Sequence, residues 1–133
     1  MGVIDPMIHV IVQNEPSLAW FGFTIEEAFE GRAVVSLSIG PQHVNGNGMA
    51  HGAVVFAAAD QAFAMAANTL IPYAATADAQ IHYVAPSRAG QRLVATARTS
   101  WSDARRAVLD VLVTADDKVV ATFRGMARAT RQS

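Results

Sequence analysis

Between Ala53 and Ala64 the chain reads Ala-Val-Val-Phe-Ala-Ala-Ala-Asp-Gln-Ala-Phe-Ala, a run with helical composition and almost no polar face. A helix apolar on nearly all sides needs cover on nearly all sides, so this segment dictates what must be built around it. One acid interrupts the run. At helical spacing Asp60 has Phe56, Ala57, Phe63 and Ala64 as neighbours, so its ionised form is either badly desolvated or opens into a cavity that holds something polar. Pro72 ends the helix. The apolar stretch from Ala53 to Ile71 is Ala-rich and broken by Asp60, Gln61 and Asn68, which makes it a poor membrane span and a good buried helix.

The flanks are strand-like. Phe23 to Phe29 and Arg32 to Ile39 read as two strands joined by Glu30-Gly31, a hairpin signal. After Pro72 the hydrophobic period becomes two. Tyr73 to Ala85 alternates Thr76, Asp78, Gln80 and His82 against Ala77, Ala79, Ile81 and Tyr83, and Gln91 to Trp101 sets Leu93, Ala95, Ala97 and Trp101 against Arg92, Thr96, Arg98 and Ser100. Arg105 to Ala115 and Lys118 to Thr130 continue the pattern across Asp116-Asp117, so the second half is expected to be an antiparallel meander. Pro16 followed by Ser17-Leu18-Ala19-Trp20-Phe21 predicts a short helix. The expected class is α+β: five to six antiparallel strands curved around one long helix, in a single domain spanning 1–133. A single sheet covers one side of that helix. The other face is expected to be buried against a second copy of the chain, as a two-fold dimer.

Composition removes several functions. Net charge is −1 and the basic residues are scattered, leaving no electrostatic footprint for nucleic acid. There is no cysteine, which excludes disulfides, thiolate catalysis and Cys-ligated zinc and fits a reducing compartment. Met1 to Val12 lacks the basic and apolar regions of a signal peptide, and Pro6 breaks a myristoylation pattern, so a soluble cytoplasmic protein with no membrane partner is expected. His9, His43, His51 and His82 have no paired ligand spacing, and no metal is expected. Gly46-Asn47-Gly48 is not followed by Gly-Lys-Ser/Thr, and no Gly-x-Ser-x-Gly is present, which argues against nucleotide hydrolysis and a serine hydrolase.

The loop before the helix carries the chemistry. Asn45-Gly46-Asn47-Gly48-Met49-Ala50-His51-Gly52 is a Gly-rich turn that delivers a His and a Gly to a helix start, where free N–H groups and the positive dipole end are presented. A carboxylate, a His, an Asn and an aimed amide are the parts of an acyl-transfer site. Each residue also has a plain structural reading: His51 as a cap, Asn45 as a turn former, Asp60 as an acid satisfied inside the core. Spacing adds a constraint. Asp60 follows Gly52 by eight residues, about 12 Å along the axis at roughly 1.5 Å per residue. The two cannot meet on one carbonyl within a chain, so cooperation requires the amide of one subunit and the acid of its partner.

The stretch from His43 to Asn68, with Asn45-Gly46, His51-Gly52 and Ala59-Asp60-Gln61-Ala62-Phe63-Ala64, resembles the hotdog-fold thioesterases of the phenylacetate-degradation (PaaI-type) group. Thr76 to Pro86, followed by Arg88-Ala89-Gly90, resembles that family's strand and turn after the helix. Where the family often has His-Gly-Gly, this chain has His51-Gly52-Ala53, which keeps the amide but sets a methyl group at the border of the site. The resemblance implies a hotdog fold and an acyl-CoA thioesterase that releases a free acid and coenzyme A, with an aryl-acetyl or similar small acyl group. It implies Gly52 as oxyanion donor, His51 and Asn45 as positioning groups, Asp60 as nucleophile or general base, and Thr76 as a hydroxyl orienting water. No cofactor is implied, since coenzyme A is part of the substrate. Its phosphates call for cations, for which Arg88, then Arg105 and Arg106, are the candidates. A homotetramer of two dimers is compatible with the family. A hotdog hydratase or dehydratase and a non-catalytic acyl-CoA-binding module are the alternatives.

Overall fold

The computed structural model describes residues 2–130. Among them three α-helices and six strands follow one another: α1 (Pro6–Ile11), α2 (Pro16–Phe21), β1 (Thr24–Phe29), β2 (Arg32–Ser38), α3 (Gly52–Leu70), β3 (Ala75–Tyr83), β4 (Arg92–Ser102), β5 (Arg106–Ala115) and β6 (Lys118–Arg128). The strands form one antiparallel sheet in the order β1-β2-β4-β5-β6-β3. α3 lies against it, packed chiefly on β4, β2 and β5.

Two hairpins turn on residues with positive φ: Glu30 and Gly31 at 49° and 77°, Asp116 and Asp117 at 48° and 70°. Two-residue loops with both φ values positive match the right-handed twist of the strands they join. The sheet's inner face is largely small. Ala33, Ala95, Ala97, Ala107, Ala121 and Ala127 are buried there, opposite Ala58, Ala59, Ala62, Ala66 and Ala67 of α3. Short side chains on both layers let the helix lie close, and Phe63 and Phe123 fill the wider part with ring centroids 5.5 Å apart. At its end α3 is closed by Asn68, which donates to the Ala64 carbonyl at 2.8 Å and accepts from the Ala74 amide at 3.1 Å. Ile71, extended as a residue before proline must be, then turns the chain away.

Three expectations are corrected. The second half is not a simple meander: β4-β5-β6 is one, but β3 crosses to pair with β6, and β4 pairs with β2 instead. Alternation reports which face a residue occupies and carries no information on which strand lies next to it. The alternation of β3 predicts one buried face, yet apart from Ala75 and Ile81 its residues are exposed, as befits an edge strand with the helix beneath its neighbours. Trp101 falls on the apolar side of β4 by alternation. A register break between Thr99 and Trp101 turns it outward, where it is 48% exposed under the Arg106 guanidinium. The helix α1, started by Pro6 and capped by Asp5 accepting from the Met7 amide, has no counterpart in the sequence reading.

Candidate active site

α3 is not covered all round. Ala53 is exposed and Phe56, Ala57, Asp60, Gln61 and Ala64 are half-buried, forming one stripe that the sheet does not reach. Asp60 stands in its middle. Its carboxylate has no hydrogen-bond or ion-pair partner among the described residues, and its oxygens keep access to solvent. Burial pushes its pKa above the usual carboxylate value, and the nearby Glu15 carboxylate pushes it further the same way.

At the start of α3, the Ala53 amide donates to His51 Nδ1 at 3.0 Å. His51 is therefore the helix cap of its structural reading, and neutral His51 carries its proton on Nε2, where the imidazole is a donor. The Gly52 N–H has no partner among the described residues. The Gly52 carbonyl accepts from the Tyr83 hydroxyl at 3.0 Å, tying the end of β3 to the helix start. Asn45 is the turn residue of its plain reading: its Oδ1 accepts from the amides of Asn47 (2.9 Å) and Met49 (3.2 Å). Its Nδ2 has no partner among the described residues and can donate. Asn45 and Gly52 line one cleft of about 400 Å3 together with Met49, Tyr83, Val84 and Ser87.

The other side of the helix start is apolar. Trp20, Phe21, His43, Val44, His51, Ala53 and Val54 line a second cavity of about 410 Å3. Its wall is rigid. His43 is buried, its Nδ1 accepting from the Gly40 amide and its Nε2 donating to the Phe21 carbonyl, both at 2.9 Å, so it clamps α2 to the loop. Ala53, the departure from His-Gly-Gly, sits in this wall.

Other expected residues fall at two ends of the sheet. Arg88 is exposed, and its backbone bridges to Met49 on the rim of the Asn45 cleft. Arg105 and Arg106 lie at the β4–β5 turn, where Arg106 is taken up by Asp103 at 2.9 Å and by the Trp101 ring. That turn abuts Arg128, which pairs with Ala75 at the start of β3. Thr76 is at the same end, seven residues along the strand from Tyr83, about 23 Å at roughly 3.3 Å per residue. Within one chain the fold brings together Asn45, His51, Gly52 and Arg88; it separates them from Asp60, and more widely from Thr76, Arg105 and Arg106. Sequence reasoning missed Tyr83, Glu15 and Gln61. Their contacts span 31 and 46 residues, and no local spacing signals them.

Known proteins share this fold. Residues 47–122 match the thioesterase superfamily. Acyl-coenzyme A thioesterase PaaI of Escherichia coli K12 is 34% identical over 118 residues, spanning 88% of this chain and 84% of that one. The solved structure of the E. coli PaaI protein from the phenylacetic acid degradation operon is similar with a TM-score of 0.90 at 31% identity, covering 94% of this chain and 91% of that one. A mutant of the phenylacetic acid degradation protein PaaI from Thermus thermophilus gives 0.84 at 33% identity, covering 87% and 100%. The chain belongs to the thioesterase superfamily, within its PaaI-type group, and its fold is the hotdog fold. It is an enzyme of the thioester-hydrolase class.

Proposed function

We propose that the protein hydrolyses a small acyl-CoA to the free acid and coenzyme A, at a site assembled from two copies of the chain. One observation carries this reading: the Gly52 N–H and the Asp60 carboxylate both lie on α3 without a protein partner among the described residues, yet are separated by about 12 Å. A carbonyl held by the first in one chain can be attacked with the help of the second only across a dyad. The uncovered stripe of α3 supports such pairing, since two of them would bury each other.

The sheet edges support it too. β1's edge is covered by the Val3 to Asp5 segment, whereas the β3 edge is open among the described residues. Antiparallel pairing of two β3 strands about a two-fold axis would bring the Thr76, Arg105 and Arg106 end of one chain to the Gly52 and Arg88 end of the other. The residues that one chain separates would then meet twice. In this reading each chain is one domain spanning 1–133, the dimer is the working unit, and a tetramer is a pair of dimers. Residence in the cytoplasm belongs to the same reading.

The chemistry follows from the groups. The thioester oxygen accepts from the Gly52 N–H at the positive end of α3, with His51 Nε2–H and Asn45 Nδ2 as further donors; one such donor is worth on the order of 3 kcal/mol in the transition state. Asp60, made more basic by its surroundings, either takes a proton from the attacking water or attacks the carbonyl itself. In the second case a mixed anhydride on Asp60 is left when the thiolate departs, and water then cleaves it to the free acid and the regenerated carboxylate. Collapse of the tetrahedral intermediate expels the coenzyme A thiolate, a good leaving group because thiols ionise near pH 8.5. Thr76 orients water only if it is supplied by the partner. Arg88, on the cleft rim, takes the first place for coenzyme A phosphate, and Arg106, held by Asp103, the last. The Trp20 and Phe21 cavity beside His51 favours a ring-bearing or short acyl group. No resident cofactor is invoked.

Release of free thiol from acetyl-, benzoyl- and phenylacetyl-CoA tests the proposal, comparing wild type with Asp60→Asn and Gly52→Pro. Proline suits the first position of a helix and removes only the N–H; a Cβ at Gly52 meets Tyr83 no closer than 3.5 Å. Each variant is expected to lose about 100-fold or more in kcat. Full turnover by Asp60→Asn would overturn the assignment, and binding without thiol release by the wild type would make the protein a binding module.

A further inference from the structure

Glu15 precedes α2 and is half-buried. Its side chain turns away from its own helix and accepts a hydrogen bond from Gln61 Nε2 at 2.8 Å. Gln61 is the residue after Asp60, on the same uncovered side of α3. Glu15 has no cation partner among the described residues. A second carboxylate has thus been fixed beside a partly desolvated one with nothing to neutralise the pair, an arrangement that folding alone disfavours.

We propose that Glu15 is a positioning residue for Asp60: pinned by Gln61, its carboxylate stands beside the reactive acid and governs whether Asp60 holds a proton during turnover. The inference rests on the catalytic reading of Asp60 given above. Ionised Glu15 disfavours a second negative charge nearby, so it strengthens Asp60 as a base. The effect of Glu15 on Asp60 adds to that of burial. Other charged groups on the elements around α3 have partners of their own or are exposed, and Glu15 is the one whose charge acts on Asp60 among the described residues. Asp5 caps its own helix, Glu26 and Glu27 meet Arg92 and Arg32, Asp78 accepts from the Met126 amide, and Asp103 and Asp110 meet Arg106 and Arg124. His9, His82, Arg98, Lys118 and Arg128 are exposed.

A purely structural tie between α3 and the segment before α2 needs a hydrogen-bond acceptor but no charge. Glu15→Gln keeps the acceptor and removes the charge, and so separates the two roles. The acidic limb of kcat/KM against pH is expected to move to lower pH by about half a unit to one unit in Glu15→Gln. Gln61→Leu, which frees the Glu15 side chain, should move it the same way by less, and Glu15→Asp should restore most of the wild-type profile. Carbon-13 NMR titration of the Asp60 carboxyl should report the same downward shift in the resting protein. A limb and a titration midpoint that stay fixed in both Glu15→Gln and Gln61→Leu, with the rate merely scaled at all pH values, would overturn the inference. Full turnover by Asp60→Asn would instead overturn the catalytic reading, while the NMR titration would still decide whether Glu15 acts on Asp60.

Discussion

Asp60 and Gly125 illustrate opposite demands on a residue. The folded-state pKa of Asp60 is raised, by burial first and by Glu15 second. Its native form therefore binds a proton more tightly than the unfolded chain does, for which the reference value is about 3.9. Stability tied to this group is fully present below that pH and is lost as pH rises through the folded pKa. Asp60→Asn is accordingly expected to raise Tm by a few degrees at pH 7 and by nothing at about pH 3.5, read by thermal melts at both; equal Tm values at neutral pH would show that the acid is not strained. At Gly125 a Cβ would lie 2.9 Å from Phe63 Cε1 and 3.1 Å from the Asp78 carbonyl oxygen. Gly125→Ala should destabilise the fold by about 1–3 kcal/mol in urea unfolding, because both neighbours are packed. Asp60 was legible in the sequence, since an acid at the centre of an apolar helix stands out against its neighbours. Glu15 was not, because the hydrogen bond that gives it meaning joins segments 46 residues apart.

The elements were more legible than their arrangement. α3, the two-residue hairpins and every strand follow from hydrophobic period and turn residues, which act locally. The pairing of β3 with β6 depends on where a long crossover returns, and the outward turn of Trp101 on one register break; neither leaves a trace in alternation. The helix pattern contained a further clue: α3 is apolar beyond what one sheet can cover, and the half-buried stripe from Ala53 to Ala64 is that excess. Ala64→Arg tests what faces the stripe. On a solvent-facing helix the change should alter stability by no more than about 0.5 kcal/mol; on the proposed reading it yields monomers in analytical ultracentrifugation and abolishes thiol release. An active Ala64→Arg dimer would contradict the pairing of helices.

At the scale of the whole molecule, the proposed reading has one chain carry the groups for thioester hydrolysis without assembling them. Asn45, His51, Gly52 and Arg88 lie at one end, and Thr76, Arg105 and Arg106 at the other, with Asp60 between. Two-fold symmetry is the simplest operation that would close those gaps, and the β3 edge and the side of α3 left uncovered among the described residues would supply the surfaces for it. The most direct measurement is complementation between two inactive proteins, Asp60→Asn and Gly52→Pro, dissociated and reassociated in equal amounts. Half of the random dimers then contain one copy of each variant, and in those one of two shared sites has both its amide and its acid intact. Thiol release should recover to about a quarter of the wild-type rate. Two variants that each form stable dimers, mix freely and yet recover no activity would show that the amide and the acid act within a single chain.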